Sequence, residues 1–246
     1  MLKAAGFTVL NDANNHFHDF GAAGEAQTVR SIHAAGLVQT GLPGQITRVT
    51  VKGVPVAFVA FAPYDYTASL LDLPAARALI RQAARTARIV VVYMHAGAEG
   101  DGADHVTGRE EIYLGEDRGN PEEFAEMAIR AGADLVFGSG PHVLRGMEIY
   151  RDRLIAYSLG NFSGFHNFAT DGVLGASAVL HVSVDKDGAF RSGRIASVRL
   201  VEAGHPVLDP SDEGAHLIAE LSHEDLGKTA VRVDDDGRIL GTVSGG

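Results

Sequence analysis

The chain alternates between stretches whose apolar residues repeat with a helical period and short runs that are apolar throughout. The helical spacing predicts helices over residues 21–35 and 74–87. A third helix is predicted to follow the capping residue Asn120, with Pro121 in its first turn and Gly132 at its end. A fourth is predicted to open at Ser211, before a final hairpin that turns at residues 234–237. Apolar and alternating runs predict strands at residues 7–10, 45–52, 54–62, 89–94, 135–138, 143–150, 154–157, 177–184 and 190–201.

The order of these elements predicts the fold class. Strands alternate with helices in the first half of the chain and follow one another directly in the second half. This order is typical of a layered α/β domain with a mixed sheet rather than of two separable domains. We therefore expect one domain over residues 1–246, to which residues 204–246 add a C-terminal helix and a small hairpin.

Composition narrows the classes of function. The 246 residues are 46% hydrophobic, which is ordinary for a folded protein, and they include no cysteine. The absence of cysteine excludes disulfides, thiolate metal sites and a cysteine nucleophile. The formal net charge of −10 argues against general nucleic-acid binding. The longest apolar run, Val54–Ala62, is about half of the roughly 18 residues that a membrane span needs, so no span is expected. The sequence as given shows no export signal, and localisation stays open.

Four polar clusters directly follow predicted strands, at residues 11–16, 95–99, 138–142 and 158–162. The carboxyl ends of neighbouring strands meet at one edge of an α/β sheet, so we expect these loops to face one another. A single histidine in such a loop is more often structural than functional. Together, however, the loops supply imidazole nitrogens and amide oxygens, which are ligand types for zinc, manganese or iron.

A divalent ion would also need carboxylates to balance its charge. The local candidates are Asp12, Asp19, Glu99 and Asp101. Asp19 comes three residues after His16, so it can instead orient that imidazole or cap the following helix. These roles for Asp19 stay open at the level of the sequence.

The polar clusters form motifs that resemble a known family. The motifs are Asn14-Asn15-His16 with Asp19 and Gly21, then His95-x-Gly-x-Glu99, then Gly-Ala-Asp134-Leu-Val-x-Gly-x-x-Pro-His142-Val, and finally Tyr157-Ser-Leu-Gly-Asn161-Phe162. Their order over residues 1–201 resembles that of CapA-type poly-gamma-glutamate synthesis proteins, a capsule biosynthesis family. Glu111 and residues 115–119 resemble a subgroup with an extended insertion after the histidine loop.

The resemblance implies a fold and a place in the cell. The family is similar to the calcineurin-like phosphoesterase superfamily, which implies a four-layer α/β/β/α metallophosphatase-like sandwich with mixed sheets. Family members begin with a strand ending in Gly-Asp, and we expect this chain to lack the first strand or strands and to be N-terminally incomplete. The family is often extracytoplasmic.

The resemblance also implies roles for individual residues. Asn15, His95 and His142 would be metal ligands, and His16 would protonate a leaving group, with Asp19 and Glu99 as further catalytic candidates. Ser139 and Asn161 are candidates for substrate binding. His166 is a further candidate, not from the resemblance but because it lies four residues after Phe162. The bridging aspartate of the family is missing, and Ser139 and Gly140 stand where the family tends to carry another histidine. We therefore expect a divalent metal (Mn, Zn or Fe) at a weak or single site.

Three functional hypotheses follow. The first is a CapA-like protein connected with synthesis or processing of poly-gamma-glutamate or a similar capsule polymer, acting as a metal-dependent hydrolase. The second is a non-catalytic accessory or binding module for the assembly of an anionic polymer. The third is a generic metallophosphoesterase that acts on a small phosphoester.

One feature lies outside these motifs. Arg77, Arg81, Arg85 and Arg88 are predicted to share the side of the second helix opposite its apolar face. Like charges at this spacing repel one another by a few tenths of a kcal/mol. Two interpretations stay open, namely a solvated face paired with scattered acids and a track for an anionic polymer.

Overall fold

The computed structural model describes residues 1–242, so the last four residues of the predicted segment 204–246 lie outside the described part. The helices are α1 (Gly21–Ala34), α2 (Leu73–Ala84), α3 (Pro121–Ala131) and α4 (Glu213–Leu226). The strands are β1 (Val9–Asn11), β2 (Val38–Thr40), β3 (Thr47–Val51), β4 (Val54–Ala62), β5 (Ala68–Ser69), β6 (Ile89–His95), β7 (Ile112–Tyr113), β8 (Glu116–Asp117), β9 (Leu135–Ser139), β10 (Met147–Tyr150), β11 (Arg153–Ala156), β12 (Ala176–Val184), β13 (Phe190–Val201), β14 (His205–Leu208), β15 (Val231–Val233) and β16 (Arg238–Thr242).

A large mixed sheet forms the centre of the molecule. Its strand order is β10-β11-β9-β6-β4-β3, with β5 paired to β4. The inner strands β4, β6, β9 and β11 are parallel, whereas β3 and β10 are antiparallel to their neighbours. The strands β6 and β9 therefore end at the same edge, which brings His95 opposite Ser139.

Each face of the large sheet packs against a different layer. Helices α2 and α3 cover one face through a core that includes Ile80, Phe124 and Val92. The other face packs against a second sheet, ordered β12-β13-β16-β15 with β14 on β13, through a core that includes Val91 and Ile195. Helix α4 contacts this second sheet and strand β10. The predicted α/β sandwich, with helices beside both sheets, is confirmed.

Two small sheets stand beside the sandwich. Strands β1 and β2 form a parallel pair, and β7 and β8 form a hairpin within the insertion after β6. Within the described part of the chain, β1 pairs with β2 alone. The first small sheet carries the loop of the first polar motif, and the second carries residues of the insertion toward that loop.

Several predicted boundaries differ from the structure: the second helix ends at Ala84 rather than at residue 87, and the first strand is Val9–Asn11 rather than residues 7–10. Two further boundaries are wrong for local reasons. The last helix begins at Glu213 rather than Ser211, because the Asp209 carboxylate accepts the backbone N–H groups of Ser211 and Glu213 and holds a turn there. The strand predicted at residues 143–150 begins only at Met147. The chain before it turns at His142, which has a positive φ of 64°.

Candidate functional site

The loops after β1, β6, β9 and β11 meet around one cavity of about 620 Å³. This is the convergence that the positions of the polar motifs predict, since parallel strands carry their following loops to one edge of the sheet. Six of the nine predicted site residues line the cavity, namely Asn15, His16, His95, Glu99, His142 and Asn161.

Asn161 orients His142. The Asn161 Nδ2 group donates to the carbonyl of Leu174 at 3.3 Å, so its Oδ1 is the atom that faces His142 Nδ1 at 2.7 Å. Because an amide oxygen only accepts, Nδ1 carries the hydrogen and the neutral ring keeps its lone pair on Nε2. That Nε2 lies 3.5 Å from Glu99 Oε2. His142 therefore presents a proton-accepting nitrogen beside a carboxylate.

His95 is a neutral imidazole in a buried position. Its Nδ1 lies 3.1 Å from the Ser139 hydroxyl, and its buried Nε2 has no hydrogen-bond partner within the described structure. Burial, together with the positive charge of the neighbouring Arg118 guanidinium, lowers the pKa of His95 to about 3. His95 is therefore uncharged at neutral pH and holds an unused nitrogen at the cavity.

A buried arginine that sequence reasoning missed fixes Glu99. Arg118 Nη1 lies 2.9 Å from Glu99 Oε1, and the side chains of the pair are 5% and 12% exposed. The Arg118 guanidinium lies against the rings of Tyr64 and Tyr113, which stack on it by cation–π contact. Its only signal in the sequence is its place in the insertion at residues 115–119. Its role depends on tertiary contacts that spacing does not encode.

The first motif forms the opposite wall of the cavity. The Tyr66 hydroxyl donates to the backbone carbonyl of Asn15 at 3.1 Å. His16 Nδ1 lies 2.9 Å from Asp19 Oδ2, and both side chains are exposed. The N-cap residue of α1 is Phe20, and no side chain caps that helix. The sequence leaves two roles open for Asp19, orienting His16 and capping the helix. The structure shows the contact that orients His16 and no cap.

The remaining candidates lie apart from the cavity lining. Ser139 contacts His95 and lines an adjacent, mainly apolar cavity of about 470 Å³, which shares His95 and Asn14 with the first. His166 bonds through its backbone N–H to Ala203 and packs its ring edge-on against Phe165. Asp12 is buried, and burial raises its pKa to about 6.

The side chains present do not form a ready-made metal centre. Within residues 1–242, no group of three or more histidine, aspartate or glutamate side chains is close enough to hold an ion. The unpartnered His95 Nε2 and the His142 Nε2 are suitable nitrogen donors, but a two-metal site also needs bridging carboxylates. The donor set present therefore does not fit a two-metal centre.

These features define a class of protein, a layered α/β sandwich with an imidazole- and amide-lined cavity at the carboxyl ends of its strands. The chain belongs to the family of bacterial capsule synthesis proteins, PGA_cap, whose model matches residues 1–164. The matched residues include all four motifs. The resemblance inferred from the motifs is confirmed.

Two curated relatives agree with this assignment. The capsule biosynthesis protein CapA of Bacillus anthracis is 33% identical over 183 residues, which cover 65% of this chain and 41% of the relative. The PGA biosynthesis protein CapA of Bacillus subtilis (strain 168) is 32% identical over 179 residues, which cover 66% of this chain and 44% of the relative. The chain thus matches less than half the length of either protein.

Among solved structures, this chain is similar to a putative 5'-nucleotidase from Staphylococcus aureus in complex with alpha-ketoglutarate. The match covers 88% of this chain and 42% of the nucleotidase chain. The sequence identity is 16% and the TM-score is 0.44. A likeness this low supports no conclusion about activity. As for membrane insertion, no helix within residues 1–242 has the length and apolar character needed to cross a bilayer.

Proposed function

We propose that this chain acts in the synthesis or processing of an anionic capsule polymer of the poly-gamma-glutamate class, and that the cavity binds the polymer or a small phosphoester. Membership of the PGA_cap family and the two CapA relatives support the choice of polymer. The observation that carries the proposal is the convergence of His16, Glu99 and His142 on one cavity.

The arrangement supports acid–base chemistry across the cavity. His142 Nε2, oriented by Asn161, would accept a proton from a bound nucleophile. His16, held by Asp19, is the candidate donor to a leaving group on the other wall. Glu99, fixed by Arg118, would stabilise the positive charge that His142 gains. The residues thus provide a base, an acid and a counter-charge.

The test compares His142→Ala with His181→Ala, which removes an exposed histidine on β12. Each purified chain is assayed for binding and cleavage of poly-gamma-glutamate and for cleavage of a chromogenic phosphodiester, with and without added manganese. We expect cleavage to fall at least about 100-fold in His142→Ala and to persist in His181→Ala.

The other outcomes distinguish the rival hypotheses. Polymer binding without cleavage, lost in His142→Ala, would support the non-catalytic accessory module. Cleavage of the phosphodiester without any polymer binding would support a generic phosphoesterase. If the wild-type chain neither binds nor cleaves, or if both variants behave alike, the proposed role of the cavity is wrong.

A metal-dependent hydrolase is the second candidate, and the unpartnered Nε2 of buried His95 favours it. The Nε2 atoms of His95 and His142 would be its protein donors, and the described residues bring no third histidine or carboxylate close enough to join them. Such an ion would supply an activated water to the substrate. Because carboxylates are scarce, we expect at most one Mn, Zn or Fe ion per chain. Calorimetric titration checks this stoichiometry, and His95→Gln should abolish binding while His181→Gln leaves it intact. Two ions per chain, or none, would contradict this candidate.

A further inference from the structure

Helix α2 carries a row of unpaired positive charges on its outer face. Arg77, Arg81 and Arg85 are exposed, and none of their guanidinium groups forms an ion pair or hydrogen bond with another described residue. Arg88, the fourth member predicted from the sequence, differs because it binds Asp187 at 2.6 Å. The interpretation of the whole row as a face paired with acids therefore holds for Arg88 alone. Three arginines remain without local compensation in a chain of net charge −10.

The row extends past the end of the helix. Arg48, from β3, places its guanidinium 3.0 Å from the hydroxyl of Thr86, the residue that follows Arg85. On the opposite side of α2, Ala76, Ile80 and Ala83 are buried against the sheet. The positive side chains thus form a continuous stripe on the solvent-exposed side of the helix. We call this stripe the arginine row, and its members are Arg77, Arg81, Arg85 and Arg48.

The arginine row leads toward the cavity. Helix α2 connects β5 to β6, and both strands run parallel to β4. A helix in such a crossover runs antiparallel to the strands, so it begins at the edge where they end. Arg77 therefore lies toward the edge that carries the cavity, and Arg85 lies toward the opposite edge.

The spacing of the row matches the charge repeat of a γ-linked polymer. Residues four apart on a helix are separated by about 6 Å along its axis. An α-linked residue contributes three backbone bonds and at most about 3.6 Å, so a γ-linked glutamate with five bonds spans about 6 Å. Each arginine of the helix can therefore pair with one carboxylate of an extended γ-linked chain. The arginine side chains are flexible enough to reach carboxylates on either side of the polymer backbone.

We propose that the arginine row on α2 is a binding track for an extended γ-linked polyglutamate chain, outside the cavity. The choice of polymer rests on the proposed function, whereas the track itself rests on charge and spacing. An anionic partner would relieve the repulsion among neighbouring arginines. The track would hold polymer along the helix and direct one end of it to the edge where the cavity lies.

The experiment measures binding of fluorescently labelled poly-gamma-glutamate to the full chain by anisotropy. The test variant is Arg81→Glu with Arg85→Glu, and the matched control is Arg30→Glu with Arg232→Glu, which changes the net charge equally at exposed sites elsewhere. We expect about a tenfold loss of affinity in the test variant and less than about threefold in the control. Circular dichroism confirms that both variants fold.

Two further measurements separate a matched track from general charge attraction. Poly-α-glutamate of the same residue number has a denser charge, so simple attraction predicts tighter binding of the α-linked polymer, whereas the track predicts tighter binding of the γ-linked one. Binding should also weaken between about 0.05 and 0.3 M salt, and less so in the test variant. Equal losses in both double variants, or a preference for α-linked polymer or polyphosphate, would overturn the proposal.

Failure of the track and failure of the cavity give different results. The track variant should bind and process the small chromogenic phosphodiester as the wild type does, because that molecule cannot span the helix. His142→Ala should instead affect the small substrate and leave the salt-dependent polymer affinity within about threefold of wild type. A track variant that loses small-substrate turnover would overturn the separation of the two sites.

Discussion

At the scale of single residues, one amide decides which nitrogen of His142 faces the cavity. Asn161 can accept from Nδ1 because its own amide group is held by Leu174. His142 also has a positive φ of 64°. This conformation is unfavourable in free energy for a residue with a side chain of this size. The surrounding contacts therefore maintain a backbone geometry that local preference disfavours, and the result is a His142 Nε2 that lies beside Glu99 at the cavity.

Removal of the Asn161 amide should change the tautomer of His142. In Asn161→Ala the Nδ1–H loses its acceptor, so we expect a larger population with the hydrogen on Nε2. Nitrogen NMR of the labelled imidazole measures the two populations directly. Asn167→Ala is the control, because Asn167 lines the same cavity without a hydrogen bond to His142. An unchanged His142 spectrum in Asn161→Ala would contradict the assigned role.

At the scale of elements, a buried ion pair anchors the insertion after β6. Arg145 precedes β10 and binds both carboxylate oxygens of Glu111, at 2.9 and 2.7 Å. The two side chains are 1% and 9% exposed. Glu111 also accepts the backbone N–H of Ala98, so the pair ties the insertion to the loop that carries Glu99.

Breaking this pair should cost far more than breaking a surface pair. Arg145→Met leaves the Glu111 charge buried and unpaired, and we expect the free energy of unfolding in urea to fall by about 3–5 kcal/mol. The control is Arg130→Met, which breaks the exposed Arg130–Glu126 pair and should cost less than about 1 kcal/mol. Arg145→Met with Glu111→Leu should recover part of the loss. If Arg145→Met lowers the free energy of unfolding no more than Arg130→Met does, the buried Arg145–Glu111 pair does not anchor the insertion.

The elements that the sequence predicts well are those whose limits are set by neighbours in the chain. Asn120 caps α3 through the N–H of Glu123, and Gly132 ends the helix at a φ of 114°, as local chemistry predicts. The start of α4 differs from the predicted one because the carboxylate that accepts the Glu213 N–H belongs to Asp209, four residues earlier in the chain.

The candidate site shows the same difference between features set by neighbours in the chain and features set by tertiary contacts. The motif loops reach one cavity because strand ends carry them there, and this could be predicted from their positions. The contact of Arg118 with Glu99 and the burial of Arg145 could not, because both depend on how the insertion folds back over the sheet edge. The nearness of His166 to Phe162 in the sequence suggests a place at the site, but residues 163–166 lead its backbone toward Ala203 instead.

At the scale of the whole molecule, two buried groups make the free energy of unfolding depend on pH in opposite directions. His95 has a usual pKa of 6.5 and a folded value of about 3, so between these values the unfolded state binds more protons and stability falls as pH falls. Asp12 has a usual pKa of 3.8 and a folded value of about 6, so between these values the folded state binds more protons and stability rises as pH falls. From about pH 6 to pH 4 the two contributions oppose each other.

Asp12→Asn should therefore stabilise the protein at high pH and expose the dependence due to His95. At pH 8 the variant avoids burying a charged carboxylate, and we expect its free energy of unfolding to exceed that of the wild type by about 1–3 kcal/mol. This advantage should disappear near pH 4, because wild-type Asp12 is by then protonated in the folded state. Between pH 6 and pH 4 the variant should lose stability more steeply than the wild type, since the protonation cost of His95 is no longer opposed. Urea unfolding at pH 8, 6 and 4 measures each value, with Asp19→Asn as the exposed control. A variant that is less stable at pH 8, or a difference that does not change with pH, would show that burial does not raise the pKa of Asp12.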